Sequence, residues 1–403
     1  MKSEDQQQKR LGTIHRMGTV LHVLWKHKQY GLWLLWVVLA PLFYLFTRVC
    51  LLLDIIFFPD LRKIKITKPV FIMGHPRSGT TFFQKEVYKS GQVTMFSTWE
   101  MALPSLVQRK LFSPIVWILE RLNIDVLQSA NKGHEIRLQE VEEDEGLFLH
   151  RLDTEMLTVF APWLLIDDEY GDLGFKLGWN DARENRRSLI FFRECLKRQI
   201  LYTGKKQIVA KCNPSIFRLE TILEVFPDAQ IVYMVRSPQK SMRSFLSFTN
   251  QFVSPLLTEA EQETYFRKKY EWSVQLYQYF EQIKARIPED QLMVILFHEL
   301  TTDLPRVLAR FFNFAGIQPD QEFWEQLYGR NGDTKQKQHT NSPLKKFGIS
   351  KKTIRKDLGF IWDRYLREGG NRKFPEVKLS PESRKSSEEV KEHPDILSHH
   401  SQR

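Results

Sequence analysis

Between Gly74 and Thr81 the chain reads GHPRSGTT. From Gly74 to Gly79 the spacing is G-x-x-x-x-G. Between a strand and a helix, such a loop turns successive backbone N–H groups, and the helix N-terminus, toward one phosphate-like anion. PVFIM (69–73) stands before it and the helix-like FFQKEVYKS (82–90) after it. Ser78, Thr80 and Thr81 add hydroxyls. In a nucleoside-triphosphate loop, Lys follows the second glycine and reaches the β and γ phosphates. Thr80 holds that position here, and the cation of the loop is Arg77. These residues predict a cradle for a phosphate-like group that does not need the triphosphate's lysine.

The next chemistry-bearing positions stand at the ends of apolar runs. QIVYMV (230–235) ends in Arg236, where a metal-dependent triphosphatase would end in a metal-ligating Asp. A guanidinium there suits a second phosphate, held by paired N–H donors. QIVAK (207–211) ends in Lys211, and QLMVILF (291–297) is followed by His298 and Glu299. Those two, like His75 inside the loop, read as structural. Glu100 in STWEM is a carboxylate 23 residues beyond Arg77. The acidic run Glu140, Glu142, Glu143, Asp144, Glu145 is the rival to Glu100 for a proton-accepting carboxylate, though such a run is more often a solvated face.

Four short continuous apolar runs separated by helical stretches predict an α/β protein. Its parallel sheet is covered by helices on both faces. Asn213 and Pro214 read as the cap and first position of a helix, and Gly316 as the stop of a later one. The 403-residue chain carries 59 Lys+Arg against 48 Asp+Glu, net +11. That favours anionic ligands or lipid headgroups; no basic stripe with interleaved aromatics points to nucleic acid. Three cysteines, Cys50, Cys195 and Cys212, form neither a disulfide framework nor a zinc spacing.

Residues 1–30 form a basic N-terminal region. Residues 31–58 read as a transmembrane or in-plane membrane segment, since 31–47 hold no charge and include Trp33, Trp36 and Tyr44. Six Lys/Arg before it against four after it vote weakly for a cytoplasmic N-terminus. The catalytic domain is expected at 69–375, with a disordered tail at 376–403. Because the motifs begin only at 69, deleting 1–58 is expected to leave nucleotide binding intact.

PRSGTT after one strand and RSPQKSMRS after a later one resemble the motifs of the sulfotransferases that use 3′-phosphoadenosine-5′-phosphosulfate (PAPS). KCNPSIFRLETILEVFPDAQIVYMVRSP between them, and ILFHELTTDLPRVLARFFNFAGI after them, are similar to the same family. The likeness covers about residues 69–318. Arg in the first loop resembles the branch that includes tyrosylprotein sulfotransferases and bacterial membrane-linked members. The resemblance implies that Arg77, Ser78, Gly79, Thr80 and Thr81 hold the 5′-phosphosulfate. It implies that Arg236 and Ser244 hold the 3′ phosphate. Arg77 and Lys211 face the group in transfer, and Glu100 takes the acceptor's proton. It implies PAPS as co-substrate, no metal, and a hydroxyl or amine acceptor on a small molecule, glycan, lipid or protein. The alternatives are a P-loop small-molecule kinase, with Glu299 as its metal candidate, or a membrane protein that binds an adenine nucleotide without turnover.

Overall fold

In this computed structural model, residues 12–122, 124, 137–179, 182–329 and 342–366 are described. The expected tail at 376–403 lies outside them.

Two helices come first, α1 (Thr13–Lys26) and α2 (Tyr30–Phe57). Then come β1 (Val70–Gly74), α3 (Thr80–Tyr88), β2 (Val93–Thr94), α4 (Thr98–Ala102) and α5 (Leu106–Arg121). After the short helices within residues 144–175 the chain continues through α6 (Ala182–Thr203), β3 (Gln207–Lys211), β4 (Gln230–Val235), α7 (Pro238–Val253), α8 (Glu259–Ile283), β5 (Leu292–Leu296) and α9 (Leu304–Ala315). The strands form one parallel sheet in the order β2-β3-β1-β4-β5. The four anticipated strands lie within a residue of their expected ends. β2 is only two residues long and carries too little pattern to be read from sequence.

The strands are apolar on both sides because both are covered. Phe71, Met73, Ile231 and Tyr233 pack into one core layer; Val70, Ile72, Val232 and Met234 pack into the other. β1 pairs with β4 over its whole length, Val70 opposite Gln230 and Gly74 opposite Met234. A Cβ on Gly74 would lie 2.6 Å from the Met234 carbonyl oxygen, so this strand end needs glycine.

Residues 13–58 pack against the elements that follow the boundary expected at 69. Val20, Val23 and Leu24 of α1 are buried in the main core. Arg16 is buried and pairs with Asp153 at 3.5 Å. On α2, Thr47, Cys50 and Asp54 form a buried stripe at helical spacing. The Asp54 carboxylate accepts from Ser105 Oγ (2.8 Å), from the N–H groups of Leu106 (3.1 Å) and Val107 (2.8 Å), and from Arg198 Nε (2.7 Å). A carboxylate on α2 thus caps α5 and neutralises a buried guanidinium of α6. Asp54→Ala is expected to destabilise the fold by about 3–5 kcal/mol, the cost of stranding a buried charge. Guanidinium unfolding followed by tryptophan fluorescence measures it. A loss below about 1 kcal/mol, the worth of an exposed pair, would mean that α2 is only loosely attached. Deletion of 1–58 should yield no folded domain, rather than a soluble nucleotide-binding one.

Candidate functional site

Three neighbouring strands end at the site. β3 ends at Lys211, β1 at Gly74, and β4 just before Arg236. The order β3-β1-β4 therefore sets Lys211, the glycine loop and Arg236 side by side at the carboxyl edge of the sheet. After β1 the chain runs toward β2, and after β4 toward β5, so the two connections diverge. A crevice opens where they part, the usual ligand position in such sheets.

The loop between β1 and α3 is tight. Arg77 has φ +70 and Gly79 φ +97. A Cβ on Gly79 would meet the Phe297 ring at 2.7 Å. Ser78 N–H donates to the His75 carbonyl at 3.1 Å, and the Ser78 side chain is buried behind the loop. His75 is buried against Tyr277, rings parallel with centroids 5.1 Å apart, and donates Nδ1–H to the Pro76 carbonyl at 2.7 Å. Burial pushes its pKa down to about 3, so it is neutral and structural. Thr80, Thr81 and Phe82, the first residues of α3, line the crevice, and the N–H groups of a helix's first turn have no partner within the helix.

Arg77, Gly79, Thr80, Thr81, Lys211 and Arg236 all line one cavity of about 1020 Å³. Lys211 is buried, and its Nζ donates to Thr81 Oγ1 at 2.9 Å. Arg236 donates Nη1–H to the Arg77 carbonyl at 2.9 Å and lies 4.0 Å over the Phe297 ring. Its Nε is buried without a hydrogen-bond partner. Burial lowers the pKa of Arg236, and Arg77 close by lowers it further. Two guanidiniums crowd together, with no carboxylate within ion-pair distance of either among the described residues. Cations left this way create a site for an anion. Ser244, on α7, accepts from Arg77 Nε at 3.2 Å and does not line the cavity in this conformation. Its own O–H proton remains to donate.

Residues 69–322 match the family model described as the sulfotransferase family. The chain is a member of the sulfotransferase family. It is similar to the omega-hydroxy-beta-dihydromenaquinone-9 sulfotransferase Stf3 of Mycobacterium bovis and of Mycobacterium tuberculosis. Each is 27% identical over 173 residues, which are 42% of this chain and 42% of the relative. The aligned part thus spans less than half of these relatives. In fold it resembles sulfotransferase STF9 from Mycobacterium avium, with a TM-score of 0.64, 17% identity, and 79% of this chain and 82% of that one covered. Sulfotransferase STF1 from Mycobacterium tuberculosis H37Rv gives 0.61 and 17%, covering 78% and 82%.

The carboxylates of the chain do not stand where the sequence suggested. Glu100 is no part of the cavity lining. Its Oε2 accepts from Ser97 N–H at 2.8 Å, closing the capping box of α4, and from Gln199 Nε2 at 3.1 Å. Its backbone carbonyl accepts from Arg109 Nη2 at 3.1 Å. The acidic run is no solvated face either. Glu142, Asp144 and Glu145 are buried, and Glu145 pairs with buried Arg218 at 2.9 Å. Glu142 and Glu143 both line the cavity. Glu142 Oε2 is 3.8 Å from Lys211 Nζ.

Glu143 is half-buried. Its Oε1 accepts the Asn213 N–H at 2.8 Å, which fixes the carboxyl. Burial raises its pKa to about 7; Glu145 and Glu142 push the same way, against Lys211 and the Asn213 hydrogen bond. Asn213 is itself a surprise. Its backbone is helical rather than extended, so it does not cap the following helix; its Nδ2 donates instead to Thr80 Oγ1 at 3.3 Å. The signal for it was in plain view, two residues past Lys211.

Glu299 does not face the cavity. It accepts from Leu296 N–H at 2.9 Å and pairs with Arg310 at 3.6 Å. Phe297 lines the cavity in its place.

Proposed function

We propose that the chain transfers the sulfonate group of PAPS to a hydroxyl of a small-molecule acceptor, without a metal. The observation that carries this reading is the pair Arg77 and Arg236 at the glycine cradle: among the described residues neither has an ion-pair partner, only Glu142 acts on Arg77 from further off, and a buried guanidinium N–H of Arg236 lacks an acceptor. The first turn of α3, with Thr80 and Thr81, holds the 5′-phosphosulfate. Arg236 and Ser244 hold the 3′ phosphate, with the free Ser244 O–H as donor. Lys211 and Arg77 stabilise the charge that gathers on the bridging oxygen as the S–O bond breaks. Glu143 takes the proton as the acceptor oxygen bonds to sulfur, and adenosine 3′,5′-bisphosphate leaves. A phosphate-transferring kinase would need a metal ligand near Arg236, and its sequence candidate, Glu299, is committed elsewhere.

Calorimetry with adenosine 3′,5′-bisphosphate, with and without EDTA, tests the donor site. Binding is expected to be unaffected by EDTA and stronger than binding of ATP. Arg236→Ala should weaken it by about 2–5 kcal/mol, the cost of an unpaired buried charge. Ser244→Ala should cost only about 1 kcal/mol, one hydroxyl bond. A requirement for Mg²⁺, or unchanged affinity in Arg236→Ala, would overturn the assignment.

A further inference from the structure

The far side of the cavity is built by the apolar helix. Trp36, Ala40 and Phe43 of α2 line it, opposite Leu149, Met156 and Phe160. The space, about 1020 Å³, stands at the top of the range of small-molecule sites, about 300–1,000 Å³. It continues from the cradle to α2 along apolar side chains.

α2 therefore has two working faces. The inner face meets the cavity. On the outer face Leu35, Leu39, Leu42 and Leu45 are between 51% and 61% exposed. By length and composition α2 could cross a membrane. The Asp54 cap, however, ties its C-terminal half to α5 and α6. α5 lies beside it, with Phe46 and Phe112 in ring contact at 6.3 Å, and exposes Leu111, Ile115, Trp117 and Ile118. Two tethered neighbouring helices thus leave large apolar side chains exposed, and apolar side chains exposed together mark a contact surface. Exposed Trp25, in the last turn of α1, and exposed Tyr30, the first residue of α2, stand at one border, and Arg62, Lys63 and Lys65 follow the end of α2. Aromatic residues and cations at the borders of an apolar surface match the headgroup layer of an anionic bilayer.

We infer that α2 and α5 seat the protein in one face of a bilayer, and that the acceptor is a membrane-dissolved apolar alcohol whose hydroxyl reaches the cradle past α2. The inference rests on the PAPS reading of the cradle. It follows from one helix separating the lipid from the reaction cavity: an apolar acceptor entering beside α2 never crosses water, and its tail stays among apolar side chains while its hydroxyl meets Glu143.

The test uses the full chain, PAPS, and two alcohols with the same reacting group: hexadecanol in phosphatidylcholine–phosphatidylglycerol vesicles, and butan-1-ol in buffer. Hexadecanol gathers in the bilayer beside α2 while butan-1-ol stays in buffer, so kcat/KM for hexadecanol, reckoned on total alcohol, is expected to exceed that for butanol at least about 100-fold. Leu39→Glu, on the outer face, should stop co-sedimentation with vesicles and leave affinity for adenosine 3′,5′-bisphosphate unchanged. Ala40→Trp, on the inner face, should keep both and lose about tenfold or more in hexadecanol turnover, by filling the passage. Equal use of the two alcohols overturns the inference. So does vesicle binding that survives Leu39→Glu, or an outer face that proves to be a dimer contact, shown by Leu39→Glu converting a dimer to a monomer that still uses hexadecanol. Failure of the wild type to bind adenosine 3′,5′-bisphosphate would instead sink the PAPS reading on which the inference stands.

Discussion

Glu143→Gln is expected to lower turnover about 10²–10⁴-fold, the usual worth of a positioned general base, while donor affinity stays near wild type. The expectation comes from geometry first. One oxygen of Glu143 is held by the Asn213 N–H, and the side chain lines the cavity beside Lys211's partner Glu142. Its pKa, raised by burial to about 7, lies where a base works best near neutral pH. The sign follows from the ionised form being the base. Activity should rise with pH through about 7, and Glu143→Gln should flatten that limb. Glu100→Gln is the contrast. Its carboxylate serves Ser97 and Gln199, so the change should cost about 1 kcal/mol of stability and little turnover. Steady-state kinetics with a pH profile separates the two. A Glu100 variant that is dead yet folded, beside a fully active Glu143 variant, would return the base to Glu100.

The difference between those two glutamates shows what the sequence could carry. The strands were legible because burial on both faces writes itself as unbroken apolar runs. The cradle was legible because its glycines answer backbone demands: the Gly74 approach to Met234 and the left-handed φ of Gly79. Lys211 and Arg236 were legible because strand ends in a parallel sheet collect at one edge. Glu100 and Glu143 had no such local signature. Which carboxylate faces the cavity depends on how the segment 137–155 folds back over β3, and that is decided by long-range contacts, Lys211 N–H to Asp144 (2.6 Å) and Asn213 N–H to Glu143. A run of five acids is normally solvated; here buried Arg218 and the β3 backbone absorb it. The N-terminal helices show a further limit. Apolar composition marks α2 as a membrane segment but says nothing of its packing, which Asp54, a single acid among leucines, makes with α5 and α6.

Arg77→Ala is expected to lose both turnover and donor affinity, unlike Glu143→Gln. Its guanidinium lines the cavity next to the cradle and donates Nε–H to Ser244, while its carbonyl holds Arg236. One residue thus links the loop at the 5′ end of the donor to both residues assigned to the 3′ phosphate. A preorganised cation aimed at developing charge is worth about 3–4 kcal/mol in the transition state, so kcat/KM should fall at least about 10²-fold. Affinity for adenosine 3′,5′-bisphosphate should fall by about 1–2 kcal/mol, as Ser244 loses the hydrogen bond that orients it. Arg77→Lys should recover part of the turnover, because it restores charge near the leaving oxygen. It should recover less of the affinity, because an ammonium lacks the rigid fork that can hold Ser244 and face the donor together. The backbone adds a control. Arg77 sits at φ +70, where glycine is at ease and other residues are strained. Arg77→Gly should therefore fold at least as stably as Arg77→Ala and lose the same turnover. If Arg77→Gly restored turnover that Arg77→Ala lacks, the loop's conformation rather than the guanidinium would be what transfer requires.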